Sequence, residues 1–195
     1  MSLTPSTMLA LGTSAPEIAL PDVVSGKQID LKTFAEQQAL LVMFICAHCP
    51  FVKHIEQELA QLGQDYRKQS LGIVAISANS VETHPQDGPE QLKAQAETFG
   101  FSFPYCYDET QTVAKAYTAA CTPDFFLFDG DRKLIYRGQL DDSRPSNGKP
   151  VTGQDLRAAI DSALAGNSPA QPQQPSIGCN IKWTPGQEPA YFGAA

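Results

Sequence analysis

The chain has 195 residues, 42 % of them hydrophobic, and a formal net charge of −7 without a basic cluster. That length suits one domain plus a tail with a sizeable core, and the acidic balance argues against nucleic acid and anionic membrane surfaces as partners. No apolar run approaches the ~20 residues of a membrane span.

From the N-terminus, MSLTPSTMLALGTSAPEI lacks the basic and long apolar regions of a secretory signal, so a cytoplasmic location is expected. The five cysteines agree, being odd in number and scattered, unlike a secreted disulfide framework. After Ala15-Pro16 and Pro21-Asp22, a turn at Ser25-Gly26-Lys27 leads to a short strand over 28–31, and Asp30 opens a short helix reaching Phe34. Residues 39–45 (ALLVMFI) form a continuous apolar run of the length of a buried strand. From Pro50 the period becomes 3.6. Val52, Ile55, Leu59 and Leu62 share one face and Lys53, Glu56, Gln57 and Gln64 lie largely on the other, which predicts a helix over 50–68. Residues 71–77 (LGIVAIS) read as a second buried strand. A polar loop over 79–88 precedes Pro89, which starts a helix to about 99; an extended segment over 104–107 and a short helix over 109–117 follow. Strands over 124–128 and 133–137 flank the hairpin turn signal Asp129-Gly130-Asp131-Arg132. A polar loop over 141–151 leads into a last helix that starts at Thr152-Gly153-Gln154-Asp155 and reaches about 165.

Residues 166–174 (GNSPAQPQQ) form a Pro/Gln-rich linker with little apolar surface, expected to stay mobile. Beyond it, Ile177, Ile181 and Trp183 are expected to dock 176–184 on the body or on a partner. The chain thus divides into a domain over 1–165 and a linker and tail over 166–195 that carries Cys179. The order β-α-β-α, hairpin, α predicts an α/β fold with a central mixed sheet flanked by helices. Strands 39–45 and 71–77 are then parallel neighbours joined by a right-handed crossover.

Chemistry concentrates in Cys46-Ala47-His48-Cys49-Pro50, where the strand hands over to the helix. A thiol titrates near ~8.5, and the unpaired N–H groups and dipole of a helix start favour its anion. His48 adds a donor or partial positive charge beside that anion. Residues three apart on a first helical turn have Cα atoms roughly 5 Å apart, within reach of a disulfide. Redox chemistry is the reading this supports; half a zinc site and simply buried thiols are the alternatives, and no second Cys-x-x-Cys or His-x-x-x-His completes a zinc set. Cys106 reads as a buried small hydrophobe, Cys121 as a packing residue ahead of one that approaches the active site from two residues before Pro123, His54 as exposed or helix-packing, and His84 as solvated. Asp141 and Asp142 are placed to pair with Arg144 and read as part of a structural loop rather than a substrate contact. Cys179 reads either as a packed residue or as a third redox thiol.

The opening Gly12-x-x-Ala15-Pro16-x-Ile18-x-Leu20-Pro21-Asp22 resembles the N-terminal signature of the redoxin branch of the thioredoxin-fold superfamily, which holds peroxiredoxins and thiol-disulfide reductases. Cys46-Ala47-His48-Cys49 resembles the Cys-Pro-His-Cys site of disulfide oxidases. The stretches from Cys49 to His54, from Ala119 to Phe128 and from Pro175 to Trp183 resemble the peroxiredoxin-like subfamily, an alkyl hydroperoxide reductase and thiol-specific antioxidant relative. The resemblance implies a thioredoxin-like fold with an N-terminal redoxin extension, and a substrate-facing cis-proline loop at Thr122-Pro123. It implies thiol-disulfide exchange in which Cys46, as the more exposed sulfur, attacks and Cys49 resolves, with His48 tuning the thiol. In a peroxidase, Cys49 would occupy the peroxidatic position and Cys46 or Cys179 would resolve its sulfenic acid. The arginine of true peroxiredoxins has no evident counterpart, which favours exchange, and Leu40 stands where thioredoxins bury an acid, so proton transfer falls to His48, a more distant carboxylate or water. The partners implied are protein disulfides or hydroperoxides and a thiol reductant, with no metal or organic cofactor. Copper handling, as in chaperones of the same fold, and a redox-inert interaction module are the readings of other classes.

Overall fold

The computed structural model describes residues 3–193. A short strand β1 (Leu3–Pro5) opens the chain, and β2 (Ala19–Pro21) and β3 (Gln28–Asp30) then form an antiparallel ribbon. Asp30 caps a 3-10 turn over Leu31–Phe34 by accepting from the Thr33 amide at 2.9 Å. The central elements follow as β4 (Ala39–Phe44), α1 (Pro50–Asp65), β5 (Leu71–Ser77), α2 (Pro89–Phe99), β6 (Tyr105–Tyr107) and α3 (Thr112–Ala116). The chain closes with β7 (Cys121–Thr122), β8 (Asp124–Phe128), β9 (Leu134–Gly138), α4 (Gln154–Leu164) and β10 (Ile177–Asn180).

Five strands make a mixed sheet in the order β6-β5-β4-β8-β9. β4 and β5 are parallel, with Leu41 opposite Ile73, and β8 runs antiparallel on the other side, with Val42 opposite Phe126. Both faces of this sheet are covered, which explains the unbroken apolar runs of β4 and β5. Leu41, Met43, Ile73, Phe125 and Leu127 face a core filled from α1, α2 and α4 by residues such as Leu59, Leu92 and Ile160. Leu40, Val42, Phe44, Phe126 and Phe128 face a second core closed by Ile18 and Ile29 of the N-terminal segment, by Tyr117 after α3, and by Ile181 and Trp183 of the tail. α2 stops at Gly100, whose φ of 67° is the left-handed geometry that a Cβ disfavours.

The expected elements are present with ends shifted by a few residues. α1 ends in a turn after Asp65, and the short third helix is confined to Thr112–Ala116. A second, three-stranded antiparallel sheet was not foreseen: β10 lies between β1 and β7, so the two ends of the chain pair with each other. The Pro/Gln-rich stretch also departs from expectation. Gln173 is buried, its Oε1 accepts from the Arg137 amide at 3.1 Å and guanidinium at 2.8 Å, and its Nε2 donates to the Ile135 carbonyl at 2.9 Å. A glutamine side chain here supplies to the outer strand the pairing that another strand would have given.

Candidate active site

Cys46 leaves the end of β4 and Cys49 caps α1, with Pro50 in the first turn as expected. Both side chains are wholly buried, so the expectation that Cys46 is the more exposed sulfur does not hold. The Thr122-Pro123 bond is cis, and Thr122 joins the pair from the opposite side. Its hydroxyl lies 3.4 Å from Cys46 Sγ, and its carbonyl oxygen lies 3.3 Å from Cys49 Sγ. β7 and the cis-proline loop thus hold one residue against both sulfurs.

The carboxylate that sequence reasoning left unidentified is Asp87. It closes a 3-10 turn over Pro85–Asp87 between β5 and α2 and is fully buried. Its Oδ1 accepts from the amides of Ala47 at 2.9 Å and His48 at 3.0 Å, fixing the loop between the cysteines. Its Oδ2 makes a very short contact with His48 Nδ1 and accepts from Asn79 Nδ2 at 2.8 Å. Burial opposes the Asp87 charge, but the bonds from His48 and Asn79 outweigh it and hold the carboxyl below its ordinary range. No local signal marks Asp87 in the sequence, because its partners lie eight and about forty residues away. His84, expected in solvent, instead sets its ring 5.0 Å from that of His48, and burial and the charges of His48 and Lys182 lower its pKa. Cys46 Sγ, His48 Nδ1 and an Asp87 oxygen lie within 4.8 Å of one another, a donor set that suits a thiophilic divalent ion.

The two thiols are pushed in opposite directions. Burial first, then the Cys49 sulfur and the Asp87 charge, drive the Cys46 thiol well up. The thiol of Cys179, then that of Cys46, donates toward Cys49 and holds its sulfur far below the ordinary thiol range, against the cost of burial. The Val52 amide at the helix start adds to this effect. Cys179 reaches the site because β10 pairs it with Thr122, in the same apolar cluster as Cys46 and Cys49.

The remaining cysteines are remote from this chemistry or held inert. Cys106 sits buried in β6, and burial, then the Asp22 charge, pushes its thiol up to about 12. Cys121 is buried, donates to the Pro123 carbonyl at 3.5 Å and is pushed up by burial. His54 is half-buried on α1, consistent with a packing role. Asp141 does not pair with Arg144: its carboxylate accepts from Ser143, Thr152 and Gly153, while Arg144 donates to the Asp141 and Ser143 carbonyls and Asp142 pairs with Lys149. Sequence reasoning also missed Asp124, directly after Pro123. It is wholly buried, and burial raises it to about 7 against the opposing bonds of Ser6 and of the Ala120 and Phe125 backbone.

The AhpC/TSA family model matches residues 11–137. The chain is 28 % identical over 142 residues to the thiol-disulfide oxidoreductase ResA of Geobacillus kaustophilus, covering 70 % of this chain and 75 % of that one. It superposes with a TM-score of 0.92 on the crystal structure of an uncharacterized conserved protein from Geobacillus kaustophilus, at 53 % identity over 95 % of this chain and 98 % of that one. The thioredoxin domain of a thiol-disulfide oxidoreductase from Bacteroides vulgatus shares the fold with a TM-score of 0.56 at 21 % identity, over 66 % of this chain and 88 % of that one.

Proposed function

The chain belongs to the AhpC/TSA family, and from that premise we propose that it is a thiol-disulfide oxidoreductase whose redox pair is Cys46 and Cys49. The observation that carries the reading is the common partner of the two sulfurs, Thr122, which meets both at a strand-to-helix junction. In the reduced pair, Cys49 holds the charge and attacks one sulfur of a substrate disulfide, whose other sulfur leaves as a thiol. Cys46, its proton taken up through His48 and Asp87, then attacks Cys49, releases the second substrate thiol and closes the Cys46–Cys49 disulfide. Two electrons pass to the substrate, and a cellular thiol reductant returns them to the pair. Because both sulfurs are buried, the loop held by Asp87 must open to admit the substrate.

This order reverses the expectation that Cys46 attacks first. It is tested by mixing Cys46→Ser and Cys49→Ser proteins with a small aromatic disulfide and weighing the adducts. Cys46→Ser should accumulate the mixed disulfide on Cys49; an adduct confined to Cys49→Ser restores Cys46 as the attacker. No adduct on either sulfur would remove the exchange function altogether.

The stabilised Cys49 anion also supports peroxide reduction as a second reading. Among the described residues no arginine hydrogen-bonds either sulfur, and the nearby Arg144 is spent on Gln139 and two backbone carbonyls. Without that guanidinium to polarise the peroxide, exchange is the better account. The Cys46, His48 and Asp87 cluster supports metal handling as a reading of another class. Stoichiometric metal in the purified protein, lost on alkylation of the two cysteines, would favour it over exchange.

A further inference from the structure

We propose that Cys179 is a third redox thiol of this site, able to take Cys49 over from the Cys46–Cys49 disulfide and leave Cys46 reduced. The inference rests on the exchange reading above and extends it to the C-terminal tail. Three observations carry it. First, Cys179 lies in β10 opposite Thr122, the residue that touches both sulfurs of the pair, and it is buried in the same cluster as they are. Second, the chain is built to hold β10 that close. Gly178 packs so tightly on the cis-proline loop that a Cβ there would overlap the Thr122 carbonyl, and Ser176 Oγ donates to the Pro123 carbonyl at 2.6 Å. Third, the tail is tied to the redox loop itself, since the Lys182 amide donates at 2.8 Å to Asn79 Oδ1, and Asn79 Nδ2 donates to Asp87.

Cys49 is therefore the sulfur approached by two thiols, one from its own loop and one from the tail. In the reduced site the Cys49 anion, followed by burial, keeps the proton on Cys179. Oxidation of Cys49 removes that anion and leaves burial opposing, and the Lys182 charge favouring, a Cys179 thiolate. The thiolate then attacks Cys49 Sγ; the Cys46–Cys49 bond breaks, a Cys49–Cys179 bond forms, and Cys46 leaves as a thiolate that takes up the proton Cys179 gave up. The step is an isomerisation of one disulfide, so its electrons balance without a further oxidant or reductant. Its product joins the start of α1 to the tail strand.

The test uses the full-length protein oxidised with one equivalent of diamide, alkylated and mapped without reduction. Wild type should lose two thiols per chain and yield both Cys46–Cys49 and Cys49–Cys179 peptides. Cys46→Ser should still lose two thiols, as Cys49–Cys179, and Cys179→Ser should yield Cys46–Cys49 alone. A wild-type map with Cys46–Cys49 only would overturn the relay and leave exchange standing, as would a Cys46→Ser protein that loses no thiols. Absence of Cys46–Cys49 from both wild type and Cys179→Ser would instead overturn the pair itself. The wild-type map requires no variant to fold, so the proposal stays open to refutation by that measurement alone.

Discussion

At the scale of single residues, two buried carboxylates set opposite demands on pH. Asp87 is held below its ordinary value of 3.8 because His48 and Asn79 bond its anion more strongly than burial penalises it. Its folded-state pKa is depressed, so it adds stability above 3.8 that is lost as pH falls through the lowered value. Asp124 is the reverse. Burial raises it from 3.8 to about 7, so the folded state binds the proton more tightly than the unfolded chain. Its contribution is complete below 3.8 and is lost as pH rises to about 7. At ~1.4 kcal/mol per unit, the loss is of the order of 4 kcal/mol. Urea unfolding across this range should therefore show Asp124→Asn gaining on wild type as pH rises, by up to that amount, whereas Asp87→Asn should lose most at neutral pH and least in acid. Parallel pH profiles for wild type and Asp124→Asn would refute the assignment of a neutral, buried Asp124.

At the scale of elements, the tail strand is part of the site. β10 is paired on both sides, and its continuation buries Ile181 and Trp183 in the core that also covers the back of β4 and β8. Trp183 meets Tyr191 edge-on with ring centroids 6.1 Å apart, and Lys115 lies over its ring. Truncating a buried aromatic removes its transfer free energy and leaves a cavity, so Trp183→Ala should cost about 3–5 kcal/mol in urea unfolding. A cost below ~1 kcal/mol, the range of an exposed site, would mean that the tail merely rests on the surface. The dock was legible in the sequence from three large apolar residues following a polar linker. The pairing partners were not, because β1 and β7 are only three and two residues long and carry no strand period of their own.

At the scale of the molecule, the tail expected to dock on the body or on a partner lies between β1 and β7, so the two ends of the chain meet in one sheet. Trp183, the only tryptophan, reports on the tail, while far-UV circular dichroism reports on the central sheet and helices. The two signals should unfold together, as one cooperative transition; an earlier Trp183 transition would restore the tail as an independent unit. The sequence by itself determined the central sheet and its parallel β4–β5 pair, because strands buried on both faces and amphipathic helices write local periods into the chain. It determined the strand-to-helix address of Cys46 and Cys49 for the same reason, and the proline of the cis loop through resemblance. Only the tertiary structure decided that Asp87 braces the redox loop, that Asp124 is wholly buried at the start of β8 with its pKa raised, and that Cys179 stands beside Cys49. Each of these depends on contacts between segments far apart in the chain, and an aspartate in a polar loop or a cysteine in a tail looks the same in sequence whatever it finally touches.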